Sequence, residues 1–182
     1  MTRAGNQPNF AGAAGQLITG SIQENLFILG QSFSYEDWLT YGADETKTIV
    51  FDPTGCDCDQ LIFNPFAFSA QSGPIEIGIF APVTADDDGT VLEASNRRAT
   101  SPITPEGILR LNPSNIVKPA DRFAGDLVPA TGTAPANSSG GGNMLGLPFE
   151  IITSVKYALT IKNTDGADVR IQFKTTWFEI NF

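Results

Sequence analysis

The chain has 182 residues and a formal net charge of −9, with 20 Asp and Glu against 11 Lys and Arg and no histidine. This length suits one all-β domain, and the acidic balance disfavours nucleic acid and anionic membranes as partners, because both attract cationic surfaces. Without histidine, the nucleophilic triads that use a histidine base are excluded.

Residues 1–30 are predicted to form an extended N-terminal arm. The first 20 residues are interrupted by Gly, Asn, Gln and Pro, so they lack the apolar centre of a secretory signal. The strongest apolar run of the arm is Leu26, Phe27, Ile28 and Leu29, which is far too short to span a membrane as a helix. We expect Leu26, Phe27 and Ile28 to contact a partner by strand addition.

Two apolar runs, 61–68 and 75–79, lie on either side of the turn formers Gln71-Ser72-Gly73-Pro74 and predict a β-hairpin. Pro65 lies inside the first run. Because proline cannot donate to a hydrogen-bond ladder, this strand is expected to be bulged or to lie at a sheet edge. Other apolar runs predict further strands, at 33–41, 46–51, 91–92, 108–111 and 149–152.

The segment 112–146 is predicted to be a long connection rich in Pro, Gly and Ser. Its centre, Pro129 to Gly142, cannot bury enough apolar surface to offset the entropy cost of ordering it, so we expect it to be mobile. A functional loop and a solvated insertion without a role are both compatible with this composition.

The clearest alternation of apolar and polar residues is near the C-terminus. It runs over 155–161 and again over 169–173, on either side of the turn formers Asn163-Thr164-Asp165-Gly166. This pattern predicts a second β-hairpin. The adjacent Trp177 and Phe178 break the alternation and predict a bulge, or a strand buried on both faces.

The fold class follows from these elements. No stretch of ten residues carries the apolar stripe of a helix, and 12 Pro and 18 Gly interrupt the chain. About eight short strands, joined by tight turns and long connections, predict an all-β, jelly-roll-like two-sheet β-sandwich. The predicted organisation is an arm at 1–30 and a single sandwich domain at 31–182.

Cys56 and Cys58 are the two cysteines of the chain. We expect free thiols, because a disulfide between them would close a very small, strained ring. A structural zinc site is not expected, since it takes four Cys or His ligands. No cofactor is predicted either, because the chain has no phosphate-binding or dinucleotide-binding glycine motif.

Two groups of carboxylates permit a chemical role. Glu76 and Glu179 could form the carboxylate pair of a glycoside hydrolase, or they could be solvated strand residues. Asp86, Asp87 and Asp88 could bind Ca²⁺, or they could form an acidic turn. We assign no catalytic or metal-binding residue, and the chain is not expected to be an enzyme.

Arg97 and Arg98 form the adjacent basic pair of this acidic chain. They are predicted to contact a carboxylate of a neighbouring subunit by bidentate hydrogen bonds, with a solvated loop pair as the alternative.

The arm and four further segments resemble small virion proteins of tailed bacteriophages that decorate or cement the capsid. These segments are Glu45–Pro53, Gly73–Ile77, Asn96–Ser101 and the closing stretch Tyr157–Glu179. The resemblance implies a jelly-roll-like domain on the capsid surface, dimeric or trimeric, that bridges major capsid protein subunits and stabilises the shell.

The alternative to a capsid decoration protein is a carbohydrate- or receptor-binding jelly-roll module of a phage tail or fibre. In such a module, exposed aromatic residues such as Tyr35, Trp38 or Tyr41 would stack on sugars. Core packing explains the same rings.

Overall fold

Strands make up most of the described chain, as the alternating sequence predicts. The computed structural model describes residues 10–11, 17–18, 29–71, 73–122, 124–128 and 149–181. Within these residues there are thirteen strands: β1 Phe10–Ala11, β2 Leu17–Ile18, β3 Ser32–Tyr41, β4 Thr46–Asp52, β5 Gln60–Gln71, β6 Ile75–Val83, β7 Thr90–Leu92, β8 Ser95–Asn96, β9 Ile108–Leu111, β10 Ala124–Val128, β11 Phe149–Ile151, β12 Lys156–Asn163 and β13 Val169–Ile180.

The long strands form an antiparallel ribbon that is folded over on itself. Strands β3, β4, β5 and β6 pair in turn with β13, β12, β11 and β10. Folding of the ribbon also pairs β13 with β5 and β12 with β6. The resulting sheets have the orders β8-β3-β13-β5-β11 and β10-β6-β12-β4-β9-β7. The predicted all-β two-sheet sandwich is confirmed, and this strand order is that of a jelly roll.

Both predicted hairpins are wrong in their pairing. Strands β12 and β13 are consecutive, but β12 lies in the six-stranded sheet and β13 in the five-stranded sheet, and β5 and β6 are divided in the same way. Their connections therefore cross from one sheet to the other. Alternation shows which face of a strand is buried, and that face is the same whether the next strand lies beside it or across the core.

Two predicted irregularities are present. The register between β5 and β13 shifts between Lys174 and Thr176, whose partners are Ala67 and Asn64. Two residues of β5, including Pro65, thus lie opposite one residue of β13, which is the bulge expected for a proline inside a central strand. The end of β13 is buried on both faces, from Trp177 to Ile180.

The main core lies between the two sheets and is built around Trp177, which is fully buried. Its ring centroid lies 5.4 Å from that of Phe51, 5.9 Å from that of Phe33 and 6.2 Å from that of Phe63, which is stacked parallel to it. Aromatic rings from both sheets therefore meet at this point. Such close packing makes the centre sensitive to loss of volume.

The outer face of the six-stranded sheet is covered only in part. Val50, Val83 and Ala158 form a small buried cluster there, and Ile116 from the connection before β10 packs on it. The covering segment is held by an antiparallel bridge between Thr84 and Val117. The long connection predicted at 112–146 also contains the strand β10, which the sequence did not predict.

The N-terminal arm and the centre of the long connection lie largely outside the described residues. Of the arm, the structure describes residues 29–30 and the short strands β1 and β2. These two strands pair with each other, with Phe10 opposite Ile18. Leu26, Phe27 and Ile28 are outside the described residues, as are residues 129–148, so the predicted strand addition and loop mobility stay predictions.

Lys156 ties the loop after β6 to the six-stranded sheet. Its Nζ lies 2.8 Å from Asp52 Oδ2 and 2.6 Å from Asp87 Oδ1, and it donates a hydrogen bond to the Ala85 carbonyl. Burial opposes ionisation of Asp52, but hydrogen bonds from Lys156 and Thr54 outweigh it and lower the pKa of this carboxyl. The stability that this pair adds is present above the ordinary pKa of 3.8 and is lost as pH falls through the lowered value.

We expect Lys156→Met to lower the free energy of unfolding by about 1–2 kcal/mol, because it leaves a half-buried carboxylate without its cation. The measurement is urea denaturation at neutral pH. Lys174→Met is the matched control, since Lys174 pairs with Glu36 at 2.7 Å but both side chains are about half exposed. The control should lose less than about 0.5 kcal/mol. Equal losses in the two variants would contradict the anchoring role.

Candidate functional site

A cleft of about 320 Å³ opens on the outer face of the six-stranded sheet. It lies where β4 and β6 begin and β12 ends, beyond the apolar cluster that the connection covers. The strands contribute the floor, and the connection leading to β10 contributes the opposite wall, with Lys118, Ala120 and Arg122. A pocket of this size can hold a small ligand.

The wall of the cleft is held in place by contacts with β6. Arg122 Nη2 lies 3.0 Å from Glu76 Oε1, and Arg122 Nη1 donates a hydrogen bond of 3.5 Å to the Ile77 carbonyl. The Lys118 ammonium lies 4.7 Å from the ring centroid of Phe80. These contacts direct both cations toward the cleft.

The cleft reaches down to the backbone of β6 at Gly78, because this residue has no side chain. Gly78 lies in the interior of β6, between the outward-facing Glu76 and Phe80, and opposite Thr160 of β12. A Cβ atom at this position would lie 3.0 Å from both Phe80 Cε2 and Thr160 Oγ1, closer than ordinary contact. Glycine inside a strand is unfavourable by itself and often marks a place that something approaches closely.

The charge of the cleft is opposite to that of the chain. Lys118, Arg122 and Lys162 line it together with a single carboxylate, that of Glu76. Lys162 is exposed, and no ion pair of Lys162 is found among the described residues. In a chain with a net charge of −9, this is a local cationic site. Its chemistry suits recognition of an anionic group.

The sequence did not reveal this cleft, because its residues are far apart along the chain. Lys118 and Arg122 lie in the connection that was expected to be irregular, and Lys162 lies some 40 residues later. The pairing of β10 with β6 and the bridge between Thr84 and Val117 together hold the connection over this face of the sheet. Gly78, which interrupts the exposed face of a strand, is the one local signal that could have indicated the site.

The structure does not bring Glu76 and Glu179 together. Glu76 lies at the start of β6 on the outer face of one sheet, whereas Glu179 lies near the end of β13 in the other sheet and is only 6% exposed. The interpretation as a hydrolase carboxylate pair is therefore wrong, and so is the interpretation of Glu179 as a solvated strand residue.

Glu179 is a buried structural anchor at the opposite end of the sandwich. Its Oε1 accepts hydrogen bonds from Gly107 N and Trp177 Nε1, both 2.8 Å long, and its Oε2 accepts one of 3.0 Å from Glu106 N. Burial raises the pKa of this carboxyl, although the three donors oppose the shift. The contacts attach the loop before β9 to the last strand.

The three consecutive aspartates point to separate partners. Asp87 pairs with Lys156, Asp88 accepts hydrogen bonds from the amide and hydroxyl of Ser114, and Asp86 accepts one from Asn115. These contacts are those of an acidic turn that is tied to the neighbouring connection. No cluster of three or more residues able to hold a metal ion occurs in the described part of the chain.

The expectation of free thiols is wrong. Cys56 and Cys58 form a disulfide with an S–S distance of 2.04 Å. The backbone turns tightly here, with Cys56 N donating to the Pro53 carbonyl. The Cα atoms are 5.2 Å apart, within the usual range for a disulfide, so the small ring does not prevent closure.

The aromatic residues proposed for sugar stacking are not available as a group. Tyr41 is fully buried and Tyr35 is 8% exposed, so both belong to the core. Trp38 is half-buried on the outer face of the five-stranded sheet, and Arg170 lies 5.1 Å from its ring centroid. Core packing thus explains two of the three rings.

Arg97 and Arg98 are exposed in the connection that follows β8. Arg97 N donates a hydrogen bond of 2.9 Å to the Ser32 carbonyl, at the start of β3. Asn96 Nδ2 donates to the carbonyls of Gly30 and Ile103. The arginine pair therefore lies beside the point where the arm enters the sandwich.

No helix in residues 29–71, 73–122, 124–128 and 149–181 has the length and apolar character needed to cross a membrane. Comparison with known proteins adds no family assignment: no protein-family model matches the chain, and no curated protein matches it either.

Proposed function

We propose that the chain is a virion structural protein that decorates and stabilises a phage capsid by bridging major capsid protein subunits, acting as a dimer or trimer on the capsid surface. The observation that carries the proposal is the reverse-order pairing of β3 to β6 with β13 to β10. Viral capsid domains use this jelly-roll architecture repeatedly. The resemblance of the sequence to decoration proteins points in the same direction.

The surroundings of Gly30, where the arm joins the sandwich, support a bridging role. Chain entry at Gly30 lies against Ser101, and a side chain at this glycine would collide with the Ser101 hydroxyl. The exposed Arg97 and Arg98 belong to the same connection. A partner bound beside Gly30 would therefore lie close to Arg97 and Arg98, the pair predicted to contact carboxylates of a neighbouring subunit.

The disulfide between Cys56 and Cys58 supports a location outside the reducing cytosol. Disulfides persist in secreted proteins and on virion surfaces, and they are rare where thiol reductants are abundant. A protein exposed on a capsid after cell lysis meets this condition.

The test of the proposal is binding to shells of the virus that encodes the chain, prepared from particles lacking it. The full chain is expected to co-sediment with these shells at a saturating stoichiometry and to appear at local symmetry axes in electron micrographs. Failure of the folded full chain to bind such shells would remove the proposal.

Removal of residues 1–20 should weaken shell binding by at least about tenfold while leaving the unfolding temperature unchanged, because the arm supplies contacts rather than core. Adding Arg97→Gln and Arg98→Gln to the truncated chain should weaken shell binding further. Arg170→Gln with Lys174→Gln, on the outer face of the five-stranded sheet, is the control for lost positive charge and should bind normally. Unchanged binding of the truncated chain would contradict a role of residues 1–20 in bridging.

A carbohydrate- or receptor-binding module of a phage tail or fibre is the second candidate. The cationic cleft between β6, β12 and the connection before β10 favours this candidate, because a cleft of this size can hold a small ligand. The fold is compatible with it, since lectin domains also use jelly rolls. Binding of this chain to purified tails but not to shells would favour the second candidate over the first.

A further inference from the structure

The cleft on the six-stranded sheet has a polar lining that the proposed capsid bridging does not require. Arg122 is held by Glu76 and by the Ile77 carbonyl, and Gly78 keeps the floor open between Phe80 and Thr160. The cleft lies at the end of the sandwich away from Gly30, where the arm enters. A ligand bound in the cleft would therefore not depend on contact between the arm and a capsid.

The charges select a ligand with one anionic group. Lys118, Arg122 and Lys162 attract an anion, whereas the Glu76 carboxylate repels a second one placed beside it. The chain as a whole carries −9, so a polyanion such as a nucleic acid would be repelled by the surrounding surface. A single carboxylate, which Arg binds in bidentate geometry, fits this balance.

The uncharged groups select a ligand that also carries hydroxyls. Thr160 Oγ1 donates to the Gly78 carbonyl at 3.2 Å, which leaves its lone pairs able to accept a hydrogen bond. The Thr46 hydroxyl lines the same cleft. The exposed Glu76 carboxylate has acceptor capacity beyond its contact with Arg122. The half-buried Phe80 adds an apolar edge to the cleft, beside the Lys118 ammonium.

We infer that this cleft binds an acidic saccharide residue, of the uronic-acid class, with its carboxylate between Arg122, Lys118 and Lys162 and its hydroxyls on Thr160 and Glu76. The inference does not rest on the proposed capsid function. A chain that decorates a shell could use such a site to hold acidic surface polysaccharide, and a tail module could use it for the same ligand.

The test uses the isolated full chain and three small probes: glucuronic acid, glucose and cyclohexanecarboxylate. Glucose has the hydroxyls without the charge, and cyclohexanecarboxylate has the charge without the hydroxyls. We expect glucuronic acid to bind with a Kd of about 1 mM, the range for a ligand of this size, and both other probes to bind at least about tenfold more weakly. Binding of glucuronic acid should weaken as NaCl is added. Titration followed by NMR measures all three.

Variants distinguish the cleft from general surface charge. Arg122→Gln with Lys162→Gln should weaken glucuronic acid binding at least about tenfold, since hydrogen bonds to charged groups are lost. Arg170→Gln with Lys174→Gln removes the same charge from the other sheet and should leave binding unchanged. An unchanged thermal unfolding temperature in each variant shows that the fold is kept.

Three results would overturn the inference. Equal binding of glucose would show that the cleft does not recognise the carboxylate. Equal binding of cyclohexanecarboxylate would show that the cleft does not recognise the sugar hydroxyls. Absence of glucuronic acid binding up to about 10 mM would remove the site altogether, given the affinity expected for this ligand size. None of these outcomes bears on shell binding, so the two proposals can fail separately.

Discussion

Replacing Trp177 with alanine is expected to lower the free energy of unfolding by about 3–5 kcal/mol. The side chain is fully buried and contacts aromatic rings from both sheets, among them Phe51 and Phe63. Truncation leaves a cavity that the surrounding strands cannot fill, because each is held by hydrogen bonds on both sides. It also removes the hydrogen bond from Trp177 Nε1 to Glu179. Urea denaturation measures the loss.

Trp38→Ala is the matched control, because Trp38 is a half-buried tryptophan on the outer face of the same sheet. It should cost about 1 kcal/mol or less, as expected for a residue outside the core. A Trp177 variant that lost no more than the Trp38 variant would mean that the two sheets do not pack around this ring.

Replacing Glu179 with alanine is expected to lower the free energy of unfolding by about 2–3 kcal/mol. The reason is that the amides of Glu106 and Gly107 and the indole of Trp177 would lose their acceptor in a buried place. Glu93→Ala, at an exposed position, serves as the control and should change stability by less than about 0.5 kcal/mol.

The pH dependence of Glu179 has the opposite sign to that of Asp52. Burial raises the pKa of Glu179 above its ordinary value of 4.5, so the folded chain favours the protonated form. The stability contributed by this group is fully present below pH 4.5 and is lost as pH rises through the raised pKa. Glu179→Gln cannot ionise. We expect it to match the wild type below pH 4.5 and to gain relative stability as pH rises.

Urea denaturation of the wild type and of Glu179→Gln, from below pH 4.5 upward, tests whether the pKa of Glu179 is raised. The comparison isolates the contribution of Glu179, because this carboxyl is the only group that differs between the two chains. A difference that shrank with rising pH would show that the three hydrogen bonds outweigh burial and that the pKa of Glu179 is lowered.

Several features of the candidate sites were readable from local sequence only in part. Arg97 and Arg98 could be recognised as an exposed basic pair, but their position beside Gly30 depends on the hydrogen bond from Arg97 to Ser32. Glu179 gave no sign of burial, because two of its three donors, the amides of Glu106 and Gly107, come from a loop more than seventy residues away. The cleft could not be predicted either, because its lining residues also lie far apart along the chain.

The sequence by itself determined most of the long strands and, where apolar and polar residues alternate regularly, which face of the strand is buried. The strand predicted at 108–111 matches β9, those at 33–41 and 46–51 match β3 and β4 to within one residue, and Pro65 marked the bulge in β5. These properties are local, because side-chain period and proline chemistry act within one strand. Only the tertiary structure decided that β12 and β13 lie in opposite sheets, that β10 completes β6, and that a cationic cleft results. Every strand edge offers the same amide and carbonyl groups, so the choice of partner is made by the packing of the whole core.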